Sequence, residues 1–389
     1  MVTTVYPLGV SRKGRPARAI VHSRAGARSG GRPRGRMLRG MERVRIRTPQ
    51  SLLSLLPRIA GEAEPGSLVV LPLRQGRSGM PMAFDLPGRS EVAAVAAAIR
   101  RSAPEADAVV LVACLAEPIG AGPLPGASAE RALIAAIDAA GLGVLESLAL
   151  APDAWGDYAQ PQGARGPRAE LDLLGDPAPG VPVPPSVPGL PSPDAEAQGR
   201  VDAALDLLDD ATWEAALDDP LPAFEHALAL APSLLEGGRS GLGVDPADAA
   251  ALAIALVQRP VDRDLAIVAA LDGPAAADLD DEEAAARMLG RGPAPDADRV
   301  LEALRAWTAI AGATPLELRA PLLVVVGFLH FALGRGRTAG RCAELAIAAD
   351  PTLTMAPLLR DLVDARGAPE WVLASRAQAM PSGPSGDTR

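Results

Sequence analysis

Ser67 to Leu73 reads Ser-Leu-Val-Val-Leu-Pro-Leu, an unbroken apolar run set between Gly66 and the pair Gln75-Gly76. A run this short without alternation predicts a strand covered on both faces, since alternation marks a face that meets water. Asp107 to Leu115 is a second such run, and Leu142 to Leu150 is strand-like. Met80 to Leu86 follows the first run after the turn residues Gln75-Gly76-Arg77-Ser78-Gly79, which predicts an antiparallel return. Val44 to Arg47 alternates apolar and basic residues, as an edge strand does. Between these runs the period changes to that of a helix. Thr48-Pro49-Gln50 opens one, with Thr48 as N-cap and Pro49 at the first position, where a missing N–H costs nothing. Leu52, Leu53, Leu55, Leu56 and Ile59 give it a broad apolar face, and Pro57 is expected to bend or shorten it. Ser90 to Arg101 and Ser128 to Ala140 complete the set. Helices alternating with strands in this order predict a mixed sheet with helices packed on it.

Past Gly199 the strand pattern stops. Val201 to Leu217, Ala223 to Leu235, Pro246 to Gln258, Asp262 to Leu271, Asp281 to Leu289 and Ala297 to Ala311 read as helices parted by Gly or Pro, with Asp245 capping one of them. The acid runs Asp209-Asp210, Asp218-Asp219 and Asp280-Asp281-Glu282-Glu283 fall at helix ends, where those near an N-terminus are favoured by the helix dipole without any metal. Between Gly175 and Gly199 lie eight prolines, a composition that suits an extended spacer. The expected organisation is a disordered basic arm at 1–40, an α/β domain at 41–174, a proline-rich linker at 175–199, a helical domain at 200–380 and a disordered tail at 381–389. In class terms this is α+β or α/β: an N-terminal mixed sheet with packed helices, then an all-α domain.

Composition changes this picture in two places. There is one lysine, Lys13, against 37 arginines, and no asparagine at all, the bias of a GC-rich genome, so counts of Arg and Ala carry little functional weight. The net charge of -9 is also uneven, because residues 1–40 carry ten basic groups and no acid whereas residues 161–389 carry 18 basic and 34 acidic groups. The C-terminal half therefore repels a polyanion, and nucleic acid is expected only at the arm, which reads equally as a passive tail or as sequence ahead of a start at Met37 or Met41. Cys114 and Cys342 belong to no Cys-x-x-Cys pair and read as small buried residues in a reducing compartment. The longest apolar run, Pro321 to Leu333, is interrupted by His330 and is shorter than the ~20 residues of a membrane span. No apolar segment follows the N-terminal charges, so a cytoplasmic location is expected.

Two resemblances follow from residue patterns. Leu323, Val326, Gly327, Ala339, Ala346 and Pro351 match the spacing of the tetratricopeptide repeat, a helical hairpin of about 34 residues. Gly327 and Ala339 are small where two helices would cross, Gly334-Arg335-Gly336 supplies the turn, and Pro351 ends the second helix. Over a longer span, Gly66-Ser67-Leu68-Val69-Val70, Asp85-Leu86-Pro87, Trp155 to Tyr158, Arg263-Asp264 and Cys342 through Ala349-Asp350-Pro351 occur in an order that resembles a family of high-GC Gram-positive bacteria known as a domain of unknown function (4192). The resemblance covers about Arg47 to Trp371. It implies a cytoplasmic bacterial protein without an assigned activity. Relatives follow the aromatic segment with clustered cysteines, whereas this chain has Ala159-Gln160-Pro161-Gln162-Gly163, so no metal or redox role of such a cluster transfers.

The chemistry excluded is extensive. A Walker loop needs a lysine after its last glycine, and Lys13 lies in no such context. Gly141-Leu142-Gly143 precedes a strand instead of following one, which does not fit a dinucleotide fingerprint. Gly126-Ala127-Ser128-Ala129-Glu130 lacks the second glycine of a nucleophile elbow and reads as a Ser128 N-cap. His22, His226 and His330 are scattered, so neither a metal site nor a cofactor is expected, and no residue is assigned as catalytic. Three residues are candidates for a ligand or partner surface: Asp85 at a strand end, with a turn- or helix-capping role as its plainer explanation, and Trp155 and Tyr158, which equally suit a cap on the sheet core. The leading expectation is a non-catalytic scaffold or regulatory protein working through protein contacts. The alternatives are an enzyme or small-molecule binder with a cleft at the strand ends, and nucleic-acid binding through the arm.

Overall fold

The computed structural model describes residues 2–5, 20–23, 42–44, 46, 48–60, 64–120, 122–159, 164–173, 187–236 and 244–379. Most of the arm, the first part of the proline-rich stretch and the tail thus lie outside the described residues. The chain divides into two compact units, Met1–Ser186 with Ala374–Arg389, and Val187–Leu373.

The elements of the first unit are β1 (Val2–Val5), β2 (Ile20–Ser23), β3 (Glu42–Val44), α1 (Pro49–Ala60), β4 (Ser67–Arg74), β5 (Arg77–Ser78), β6 (Met82–Asp85), α2 (Val92–Ser102), β7 (Ala108–Cys114), α3 (Ala127–Ala139), β8 (Gly143–Leu150), β9 (Ala154–Asp157), β10 (Arg165–Pro167) and α4 (Ala169–Leu173). They form one mixed sheet in the order β10-β9-β8-β7-β4-β5-β1-β2-β3, with β6 also paired to β4. Strand β4 pairs antiparallel with β7 from Ser67↔Cys114 to Leu73↔Ala108, and β7 and β8 run parallel through the α3 crossover. The absence of alternation in β4 and β7 has a direct cause. Val69, Leu71, Leu73, Val110 and Val112 pack on Leu52, Leu53, Leu55 and Leu56 of α1, while Leu68, Val70, Val109 and Leu111 pack on Ile99 of α2 and on Leu133 and Ile137 of α3.

Proline inside a central strand removes a ladder donor, and Pro72 shows where that loss is tolerated. Its carbonyl accepts from the Gly79 amide at 2.8 Å, so its missing N–H faces the β5–β6 side. There β6 pairs only as far as Val70 and β5 begins at Leu73, which leaves a gap at residue 72 and the β7 ladder intact.

Several boundaries differ from the sequence reading. Strand β3 spans Glu42–Val44, and residues 45 and 47 of the expected strand lie outside the described residues; α1 runs through Pro57 to Ala60, while the Thr48 hydroxyl accepts from the Ser51 amide at 3.2 Å as a cap should. The N-cap of α3 is Gly126 at φ 73, not Ser128, because the chain enters that helix through a left-handed turn. Trp155 lies in β9 and Tyr158 just past its end, and β9 and β10 extend the sheet beyond β8, a pair of strands the sequence reading did not foresee.

The second unit comprises α5 (Ala195–Asp206), α6 (Asp210–Asp218), α7 (Leu221–Glu236), α8 (Pro246–Val257), α9 (Pro260–Asp272), α10 (Asp281–Met288), α11 (Ala297–Ala313), α12 (Arg319–Ala332), α13 (Gly336–Ala349) and α14 (Met355–Arg366), and α15 (Glu370–Ala379) begins within it. The span 201–217, expected as one helix, is two. Asp209 takes extended backbone and accepts from the Thr212 amide at 2.8 Å and the Thr212 hydroxyl at 2.9 Å, an N-cap that interrupts the helix. Asp194, Asp245, Asp280 and Asp296 cap four more helices, and Asp280 forms a reciprocal capping box with Glu283. The acids that dominate this half are thus partly the helix starts themselves.

Every residue of α12 is buried, and it packs against α8, α9, α11, α13 and α14. The α12–α13 hairpin is close because a Cβ on Gly327 would lie 2.9 Å from Cys342 Cβ and 3.3 Å from the Ala339 carbonyl. Gly334 turns the chain at φ 76, and Asp350 ahead of Pro351 is extended. Elsewhere in the unit, buried Arg287 binds Asp272 through two nitrogens, donates to the Pro293 carbonyl and lies 5.8 Å over the Trp371 ring. Both cysteines are buried, and no described helix is long and apolar enough to cross a membrane.

Candidate functional site

The pairing registers place one row of residues across the sheet: Asp85, Ser67, Cys114, Leu150, Trp155 and Gly166. Asp85 and Trp155 therefore share an end of the sheet but stand four strands apart, about 19 Å at ~4.8 Å per strand, too wide for one small ligand. Trp155 is 1% exposed and belongs to the α1 side of the core, beside Leu171. Its indole N–H has no hydrogen-bond partner among the described residues, and Gly166 lies so close that a Cβ there would come within 2.6 Å of it. The turn after Asp85 is tied by Glu91, whose carboxylate accepts from the Gly88 amide at 2.8 Å.

Tyr158 lies on the opposite face, and its hydroxyl donates to the Pro125 carbonyl at 2.6 Å. Burial, then the nearby Glu130 charge, raises its pKa above the ordinary phenol value. Glu130, in the first turn of α3, is buried and accepts from the Ser147 hydroxyl of β8; burial raises its pKa and the Ser147 bond opposes that shift. A bulge at Leu145 decides this pairing, since it shifts the register between Val109↔Val144 and Val110↔Glu146 and so sets the faces of Glu146 and Ser147. Glu146 thereby shares the other face with Asp157. Burial, then that neighbouring charge, pushes its pKa up to about 7.

Tyr158 reaches the loop that follows β7 and ends at Gly126, at the carboxyl end of the parallel pair, the place where open α/β sheets take ligands. Here the loop is tied down. Asp153 accepts from the Ile119 amide at 3.0 Å, Arg165 donates to the Gly122 carbonyl at 2.7 Å, Tyr158 holds Pro125, and Leu124 abuts Gly156 so closely that a Cβ there would lie 2.6 Å away. The Ser147 hydroxyl donates to the Glu130 carboxylate, and no cluster of three metal-binding side chains occurs among the described residues. The loop's glycines, Gly120, Gly122 and Gly126, follow a strand and precede a helix, a signal in the sequence that the reading of Gly141-Leu142-Gly143 passed over.

The second unit contains a different arrangement. Residues 187–194, the end of the proline-rich stretch, form a strap on α11 and α12. Arg335, just past α12, donates to the Pro188 carbonyl at 3.1 Å, and the His330 ring nitrogen Nε2 lies 3.4 Å from the Gly189 carbonyl. Gly312 of α11 accepts from the Asp194 amide at 3.1 Å, and a Cβ on Gly312 would lie 2.5 Å from the Ser192 carbonyl. Asp194 then caps α5. His330 is fully buried with Nδ1 unpartnered; burial, then the Arg335 charge, lowers its pKa to about 3, so the ring is neutral and the nitrogen facing the carbonyl carries the proton. His330 was visible as the one polar break in the longest apolar run, whereas backbone acceptors on the strap leave no trace in sequence.

Neither a curated protein nor a solved structure matches the chain. A family model does match, over residues 49–370, which includes the sheet strands from β4 to β10, the strap and the helices up to α14. On that match the chain belongs to the family described as a domain of unknown function (DUF4192).

Proposed function

We infer that the protein is a scaffold or regulatory protein that works through protein contacts and not through catalysis, with its helical unit holding non-helical peptide segments. The strap carries this reading: α11 and α12 already hold a non-helical run of chain, bent at Leu190, by its backbone groups, as peptide-binding surfaces do. The polar residues of the sheet unit support it from the other side. Trp155 fills core, Tyr158 ties a loop, and Asp85 stands apart from both.

The test is affinity capture from native cell extract with the purified chain, run beside a thermal-shift screen of metabolites. Specific retention of a protein that is lost on Arg335→Ala supports the reading. A reproducible melting shift with one metabolite class, without any retained protein, overturns it in favour of a small-molecule binder.

A further inference from the structure

The hydrogen bonds described for the strap are made to its backbone atoms. Arg335 and His330 meet the carbonyls of Pro188 and Gly189, and Gly312 meets the Asp194 amide and the Ser192 carbonyl. The side chains of Leu190, Ser192 and Pro193 are exposed, while those of Val187, Pro188 and Pro191 are half-buried. What the hydrogen bonds read is therefore the backbone conformation of the chain. Prolines at 188, 191 and 193 fix their own φ in advance, so less entropy is lost on seating, and they have no N–H to leave unpaired. The receiving side is equally built for it. Gly312 bares the backbone of α11 to a peptide carbonyl, and neutral His330 offers a proton without adding charge.

We propose that the α11–α12 surface is a receptor for a non-helical, proline-containing peptide of another protein, and that the chain's own strap occupies it as an autoinhibitory contact. The inference rests on the protein-contact reading and adds its ligand class and its regulation. A strap tethered next to its seat competes at an effective concentration in the ~mM range. A partner peptide binds when the strap is displaced, and a strap seated in nine of ten molecules weakens such a peptide about tenfold.

The test uses a labelled synthetic peptide of residues 187–194, titrated by fluorescence anisotropy into the full-length chain and into a full-length variant with Pro188→Gly, Pro191→Gly and Pro193→Gly. The expected result is binding to the variant at a concentration at least about tenfold lower than to the unaltered chain, with loss of binding when Arg335→Ala is added. If the triple variant does not fold by circular dichroism, Pro191→Gly alone takes its place, since no described hydrogen bond involves that residue. A folded variant that leaves the peptide unbound at millimolar concentration overturns the proposal, as does binding that survives both Arg335→Ala and Gly312→Ala. Protein capture by the unaltered chain combined with no peptide binding would sink the autoinhibited receptor alone and leave the scaffold reading standing.

Discussion

Two helical glycines invite the same substitution with opposite results. Gly199 lies exposed in α5 with nothing within 4 Å of a Cβ built on it, whereas a Cβ at Gly327 in α12 would lie 2.9 Å from both Cys342 Cβ and Leu359 Cδ2 and 3.3 Å from the Ala339 carbonyl. Gly→Ala in a helix is worth up to about 1 kcal/mol in reduced backbone entropy. At Gly199 nothing opposes that gain, so Gly199→Ala is expected to stabilise by ~0.5–1 kcal/mol. At Gly327 the gain is opposed by overpacking, which costs about 1–3 kcal/mol. Leu359 can turn its side chain aside, but Cys342 Cβ is fixed to its backbone, and relief requires α12 and α13 to separate. The net expectation for Gly327→Ala is a loss of ~1–2 kcal/mol. At about 2–4 °C per kcal/mol for a unit of this size, the melting temperature falls by roughly 2–8 °C, against a rise of roughly 1–4 °C for Gly199→Ala. Circular dichroism at 222 nm on both variants measures the two shifts side by side. A Gly327→Ala protein that melts at or above the unaltered chain would refute the close crossing of α12 and α13.

Three further outcomes are expected. Asp209→Ala removes the cap that separates α5 from α6, with a loss of about 1 kcal/mol in urea unfolding; an unchanged midpoint would mean the two helices merge without penalty. Arg287→Ala leaves Asp272 buried without its partner and uncovers the Trp371 face, so a loss of ~3–5 kcal/mol should appear with a change in tryptophan fluorescence; a loss under about 1 kcal/mol would show that the pair is solvated. Glu146 binds its proton more tightly in the folded chain, with a pKa of about 7 against an ordinary 4.5, so its contribution to stability is complete below pH 4.5 and is lost as pH rises through 7. Glu146→Gln is therefore expected to match the unaltered chain at pH 4 and exceed it at pH 8, and equal unfolding midpoints at pH 8 would remove the case for a strained carboxylate.

What the sequence disclosed and what it hid have physical causes. The strands β4 and β7 were legible because helices cover both of their faces, which erases alternation, and the helix starts were legible through Thr48, Asp245 and Asp280. Strands β9 and β10 were not, because Ala-Trp-Gly-Asp and Arg-Gly-Pro are short and rich in turn residues, and they form by adding to an existing edge. The break at Asp209 was half visible, since the acid run was assigned to a helix end while the helix was drawn through it. The Glu130–Ser147 contact joins a helix to a strand 17 residues away and depends on the Leu145 bulge, for which no residue type is diagnostic. Asp85, Trp155 and Tyr158 were chosen for type and position along the chain, and register across the sheet is what separates them.

The position of α12 also sets how the helical unit can come apart. A linear array of hairpins frays from its ends, and a terminal hairpin can be deleted while the rest stays folded. A helix enclosed by five others has no end from which to start, so its amides should exchange with solvent only when the whole unit opens, at the slowest rate in the unit. Truncation before α13 would then strip the cover from α12 and leave an aggregating fragment in place of a shorter domain, which makes the C-terminal hairpin a requirement for folding whatever it binds.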